Sequence, residues 1–384
     1  PGHMHLTRQA IADAMGDIDV VVEMLDARLP GSSSNPLLAE LTEQKPSLKV
    51  LNKQDLADPV LTQAWMDYYS AQEQTAALGL NALEQAPVKR MLSACQQLAP
   101  HRGNLFKPMR MMICGVPNVG KSTLINSLVK KKSAKTGDEA GVTKTMQRYV
   151  LADGFYLYDT PGVLWPRIFV HESGYNLAAS GAVGKNAYDD EEVALVLLAY
   201  LRAHYEQSLI SRYKIKTALP ENDNDLFEEI GRRRGAIQTG GVLNRQKIAE
   251  TIISDFRSGA LGLITLETPT EYQEWLAVGH EREIERQRKK DEAAAAKAAK
   301  ARKTEIADRT KIVALTKAQA ANEKLSRMFD LDAIQLAAAL QSKLSKEDEA
   351  RVKALQALKT EDKNDDITAL KNLEDAKREA TFAE

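Results

Sequence analysis

Through the first 160 residues, short runs of apolar and β-branched residues alternate with amphipathic stretches, the pattern of strands separated by helices. Residues 18–25, 47–51 and 109–114 read as buried strands, 75–80 as a weaker one, and 147–152 with 155–158 as a closing pair. Helical periodicity is expected at 5–16, 59–72, 83–99 and 122–129, while turn formers mark 30–36 and 100–108 reads as a connector. Such alternation predicts an α/β domain: a mostly parallel sheet with helices on both faces and its ligand at the carboxyl ends of the strands.

Beyond about residue 170 the strand signal thins out. Residues 191–205 carry Val193, Ala194, Val196, Leu197, Leu198 and Leu201, a well-buried helix, and 225–234 and 244–257 add two amphipathic ones. Together they predict a small all-α domain. Residues 281–320 are dominated by Ala, Lys, Arg and Glu without Pro or Gly, which reads as a long solvated helix, with a docking helix at 328–344. The expected division is 1–168, 169–270 and a charged helical extension, 271–384, with no internal repeat.

Composition narrows this little. A chain of 384 residues with 43% hydrophobic content can bury a full core. It has no apolar run of about 18 residues, so no membrane span is expected. Cys95 and Cys114 lack metal-ligand spacing, which favours a reducing compartment, no zinc site and a cytoplasmic location. The net charge of −1 hides basic stretches at 130–132, 232–234 and 286–303, candidates for RNA phosphates, and an acidic final fifty or so residues. The chain begins with Pro1 in place of Met, so the natural N-terminus is expected to be missing or processed; nothing resembles a signal peptide.

Three short strings carry chemistry. Residues 115–122 fit G-x-x-x-x-G-K-S between a predicted strand and a predicted helix. There the backbone N–H groups of Asn118, Val119, Gly120, Lys121, Ser122 and Thr123 would face phosphates, Lys121 would reach the β- and γ-phosphates, and the Ser122 hydroxyl would ligate magnesium. Asp159 opens Asp-Thr-Pro-Gly: its carboxylate suits magnesium through a water, the Gly162 N–H suits the γ-phosphate, and Thr143 is a candidate second hydroxyl on the metal. Asn52, Lys53, Gln54 and Asp55 supply base recognition. Asp55 can accept from the ring N–H and exocyclic amine of guanine, a donor pair adenine lacks, while the Lys53 stem packs on the base and Asn52 ties the two loops together. The base-reading string precedes the phosphate loop. That order is the order of a circularly permuted P-loop GTPase using GTP/GDP and Mg2+.

The set resembles a family. Asp26-Ala27-Arg28 with Pro30, Asn35 and Pro36, the permuted motifs, then Asp255-Phe256-Arg257-Ser258-Gly259 through Gly262, and Leu266-Glu267, are similar to the YlqF/RbgA family of bacterial ribosome-assembly GTPases. The opening Pro1-Gly2-His3-Met4 matches the family's N-terminal signature, and the likeness covers residues 1 to about 267. It implies a factor that binds the rRNA and proteins of a maturing large ribosomal subunit, acts late in assembly and leaves on hydrolysis. Such a factor is expected to be a monomer off the ribosome, with no membrane or DNA partner. Val163 and Leu164 follow Gly162, so the water-positioning glutamine of Ras-like proteins is absent. Slow intrinsic hydrolysis, stimulated by the subunit, is therefore expected, with His3 as the substitute that the resemblance implies. The resemblance also makes Asn118 a possible K+ ligand and places a base-contacting backbone near Asn81 and Ala82, where the family's Ser-Ala motif is not matched. Two alternatives stay open: a permuted GTPase of the small subunit, although 1–17 leave no room for an N-terminal barrel, and a nucleotide-gated scaffold with little turnover.

Overall fold

The structure is a computed structural model that describes residues 2–81, 87–130, 146–160, 167–184 and 187–329. Two compact units form, Pro1–Arg288 and Lys289–Glu384. The first is built on strands β1 (Val20–Asp26), β2 (Ser47–Asn52), β3 (Thr75–Gly79), β4 (Met109–Gly115), β5 (Gln147–Ala152) and β6 (Phe155–Asp159), in sheet order β3-β2-β1-β4-β6-β5. Every pairing is parallel except that of β5 with β6. This is the mostly parallel α/β sheet that the alternation predicts.

Central strand β1 is buried at every position, as a strand covered on both faces must be. Its alternate residues divide between two cores. Val20, Val22 and Met24 pack with Met91 and Cys95 of α4 (Pro87–Leu98) and with Leu124 and Ile125 of α5 (Lys121–Lys130). Val21 meets Ile11 of α1 (Gly2–Ala14) and Leu38 of α2 (Pro36–Thr42), while Leu25 meets Trp65 and Tyr69 of α3 (Pro59–Ser70). Burying one such side chain contributes about 1.5–3 kcal/mol. The two cysteines are free and buried, and burial pushes both thiols up, Cys95 to about 12.

The C-terminal half of this unit is helical: α6 (His171–Ser180), α7 (Asp190–His204), α8 (Glu206–Tyr213), α9 (Asp223–Arg233) and α10 (Arg245–Arg257) share one apolar core. The sequence pattern gave no sign of α6, whose string contains Gly, Ser and Asn, all poor helix formers. Tertiary packing overrides that propensity. A Cβ on Gly174 would lie 2.0 Å from the Tyr188 hydroxyl, so only glycine lets α6 approach this closely. Helix α11 (Pro269–Phe329) starts twelve residues before the expected 281. Thr268 and Glu271 form a reciprocal cap there: the Thr268 N–H donates to Glu271 Oε2 (2.8 Å), and the Glu271 N–H donates to Thr268 Oγ1 (3.1 Å). Pro269 at the first helical position costs nothing, because its missing N–H would be unsatisfied anyway. Most of the 328–344 stretch lies outside the described residues.

Candidate nucleotide site

Sheet register sets the geometry. Asp26 pairs with Asn52, Met24 with Gly115 and Ile113 with Asp159, so the ends of β1, β2, β4 and β6 stand side by side at one edge. The loop leaving β4 turns through two left-handed residues, Asn118 (φ 59°) and Gly120 (φ 98°), before α5 begins at Lys121. Its helix N-terminus and preceding N–H groups make an anion cradle. The loops from β2 and β4 are joined directly: Asn52 Nδ2 donates to the Val119 carbonyl (2.9 Å) and Lys53 Nζ to the Asn118 carbonyl (2.8 Å). A Cβ on Gly120 would fall 2.3 Å from Asn52 Nδ2, so this tie requires glycine as much as the positive φ does. Asn52 Oδ1 is buried without a partner.

Lys121 forms an ion pair with Asp159 across this cradle. Ser122 and Thr123 sit exposed in the first turn of α5, and the Ser122 hydroxyl with the Asp159 carboxylate makes a hard oxygen donor set that fits magnesium. Asp55 is exposed on the short turn Gln54–Leu56 after β2. The Gln54 N–H donates to the Leu80 carbonyl (3.2 Å), which places neighbouring Asn81 beside that turn. His3 lies in the first turn of α1. Ala82, Thr143 and Gly162 lie outside the described residues.

Sequence reasoning missed a second layer beneath these loops. Lys53 Nζ also donates to Asp26 Oδ2 (3.1 Å), and Arg28 grips the same carboxylate with Nε and Nη2 (3.0 and 2.9 Å). Burial works to raise the Asp26 pKa, but the charge and hydrogen bonds of Arg28 and the charge of Lys53 outweigh it and hold it at about 2. Arg28, only 2% exposed, spends its Nη1 on the carbonyls of Phe256 (3.2 Å) and Arg257 (3.3 Å) at the end of α10. Its ring of contacts includes the Phe256 face, 4.7 Å away. The signal was present as a charged Asp-Ala-Arg string at the end of a buried strand, where an ion must find a partner.

Glu267 forms the other joint. Fully buried, it accepts from the N–H groups of Gly31 (2.6 Å) and Ser32 (2.8 Å), from Asn176 Nδ2 (3.1 Å) and from the Ser32 hydroxyl. Burial pushes its carboxyl up to about 7 against the pull of those donors. Its backbone carbonyl takes the Trp65 indole N–H (3.0 Å). Near the cradle, Asn118 Nδ2 donates to the carbonyl of Gly181 (2.6 Å), the left-handed residue (φ 83°) that ends α6. Because a carbonyl only accepts, the amide group of Asn118 must face it with nitrogen, leaving Oδ1 turned elsewhere. Between these loops and the helices lies a cleft of about 1170 Å³, lined by Arg28, Lys53, Asn118, Gly181, Asp190 and Arg257 among others.

The basic runs are partly self-paired where described. Arg232 contacts Glu228 (3.0 Å), Arg233 contacts Glu229 (2.6 Å) and Arg234 approaches Asp255 (3.5 Å). Arg286 and Arg288 pair with Glu283 and Glu285 one turn away on α11.

A family profile described as "50S ribosome-binding GTPase" matches residues 110–226. The chain is 39% identical to the Ribosome biogenesis GTPase A of Priestia megaterium over 282 residues, 71% of this chain and 97% of that one. It is 39% identical to the Bacillus cereus protein of the same name over 281 residues, 71% and 94% of the two chains. It is 32% identical to the Mitochondrial ribosome-associated GTPase 1 of Mus musculus over 290 residues, 70% and 89%. With near full-length coverage of these relatives at 39% identity, the chain belongs to the ribosome biogenesis GTPase A family and is a GTP-hydrolysing factor of ribosome assembly.

Proposed function

We propose that this GTPase acts on the maturing large ribosomal subunit, binding it with GTP and leaving on hydrolysis. The observation that carries the reading is the pair of hydrogen bonds from Asn52 and Lys53 to the phosphate-loop carbonyls, which locks base recognition onto phosphate recognition. In this reading Lys121 binds the β- and γ-phosphates, Ser122, Thr143 and Asp159 serve Mg2+, and Asp55, with backbone near Asn81 and Ala82, reads guanine. The Lys121–Asp159 ion pair supports this, because each group supplies the countercharge that phosphate and metal would take over. Gly162 senses the γ-phosphate, His3 orients water and Asn118 Oδ1 is a K+ ligand. The name of the profile, and the ribosomal partner in the relatives' names, support a ribosomal target.

Permutation gives the switch its direction. The chain leaving Gly162 runs into the helical module, so a movement at the γ-phosphate reaches α6 through the connecting segment. Co-sedimentation with separated large and small subunits, in GDP and in a non-hydrolysable GTP analogue, tests both parts. Large-subunit binding several times tighter with the analogue is expected, and equal binding in both nucleotides would remove the switch. Turnover unchanged by either subunit would favour the low-turnover scaffold.

A further inference from the structure

Arg257 ends α10 against the last turn of α6, where Nε donates to the Ala179 carbonyl (2.8 Å) and Nη2 to the Ala178 carbonyl (2.8 Å). The next residues bring it to the phosphate loop. A Cβ on Gly181 would lie 3.3 Å from the Arg257 guanidinium carbon, and the Gly181 carbonyl is the one that holds Asn118. Thus a single residue separates an arginine of the helical module from the loop that cradles phosphate. Both line the same cleft of about 1170 Å³.

The cations of this corner differ in how they are paired. Arg28 has its carboxylate in Asp26, but no carboxylate among the described residues lies within ion-pair distance of Arg257. The acids on the cleft's other wall keep their charge while accepting from neutral donors, Asp189 from the Glu192 N–H (3.0 Å) and Asp190 and Glu250 from Gln246 Nε2 (3.0 Å), and the charge of Asp190 reaches Arg257 without closing an ion pair. Two of the guanidinium's five N–H groups are spent on α6. The rest remain for a ligand in the cleft, and a planar, always-charged fork is the side chain best matched to phosphate oxygens.

We propose that Arg257 is a phosphate contact supplied by the helical module in cis, completing the site from the side that the phosphate loop leaves open. This rests on the reading that the loop at 115–122 holds the polyphosphate of GTP. An arginine so placed adds positive charge where negative charge accumulates during phosphoryl transfer, and it makes nucleotide affinity depend on the seating of α6 and α10. Capping α6 is the competing role.

Arg257→Gln separates the two, since its amide can still donate to the α6 carbonyls but carries no charge. The full-length protein is titrated with GMP, GDP and a non-hydrolysable GTP analogue, and its melting temperature is recorded. The expected result is a roughly tenfold loss of affinity for GDP and the analogue, with GMP affinity and melting temperature near those of the parent. Should Arg257→Gln fail to fold, phenylglyoxal labelling of the unmodified protein, mapped by mass spectrometry, gives the answer: the analogue should protect Arg257 and GMP should not. Parent-like affinity of the variant for all three nucleotides, or labelling of Arg257 indifferent to the analogue, would overturn the assignment alone. A parent protein that binds none of the three would overturn the nucleotide reading and the assignment with it.

Discussion

Asp26 carries two cations on one buried carboxylate, and its chemistry can be tested without touching the phosphate loop. Asp26→Asn keeps the shape but leaves Arg28 buried without countercharge and Lys53 unanchored. Urea denaturation is expected to show a loss of about 3–5 kcal/mol, accompanied by weaker guanine-nucleotide binding. Since its folded pKa is depressed from 3.8 to about 2, the stability Asp26 contributes is present above pH 3.8 and is lost as pH falls through 2. Glu267 has the opposite sign. Its pKa is raised from 4.5 to about 7, so the folded state holds the proton more tightly; the contribution is full below pH 4.5 and is lost as pH rises through 7. Glu267→Gln should flatten the stability profile across that window by about 3 kcal/mol, measured as denaturation midpoints from pH 4.5 to 8. Gly120→Ala, at φ 98° and with its new methyl on Asn52, is expected to lower GDP affinity about tenfold or more in titration calorimetry, an effect that unchanged affinity would refute.

At the scale of elements, the start of α11 is part of the first unit. Tyr272 packs edge-on to Trp65 at 5.7 Å, and His280 stacks on Phe169 at 4.9 Å. Ending the chain after Arg288 should leave the melting temperature of the first unit within a few degrees. Ending it after Thr268 removes the Tyr272 ring and is expected to cost about 3 kcal/mol, several degrees by calorimetry. The sequence pattern started this helix at 281 for a physical reason. The composition of 281–320 stands out by itself, whereas 269–280 is anchored by contacts with residues about 70–210 positions away, among them Tyr272 on Trp65, His280 on Phe169 and the Tyr200 hydroxyl on Glu271. Helix α8 was missed likewise, since only Leu209 and Tyr213 of its eight residues are buried. The strands, in contrast, were legible because a buried parallel strand must be largely apolar, and the charges inside β1 and β2, Glu23 and Lys49, pair with each other.

For the whole molecule, the question is whether sheet and helices respond as one body. Arg28 reaching the α10 carbonyls and Glu267 under the 30–34 loop are buried ties across that boundary, and Asn118 on Gly181 is an exposed one. Residues 1–288 should therefore melt in one calorimetric transition, raised by GDP at about a hundred times its Kd by the equivalent of ~2.7 kcal/mol. Arg28→Ala is expected to split or broaden it; a sharp single transition in that variant would assign the coupling elsewhere.

Of the candidate site, the strings themselves were readable: each needs only local order, a glycine-rich turn before a helix or a polar quartet after a strand, and local order is written in contiguous residues. The fold class and the permuted order came from the same source. What only tertiary structure decided is what stands behind those loops. Asp26, Arg28, Gly181, Arg257 and Glu267 acquire their partners across as many as 236 positions of chain. A buried charge is tolerable only beside its countercharge or its hydrogen-bond donors, and no local pattern tells which distant segment will bring them.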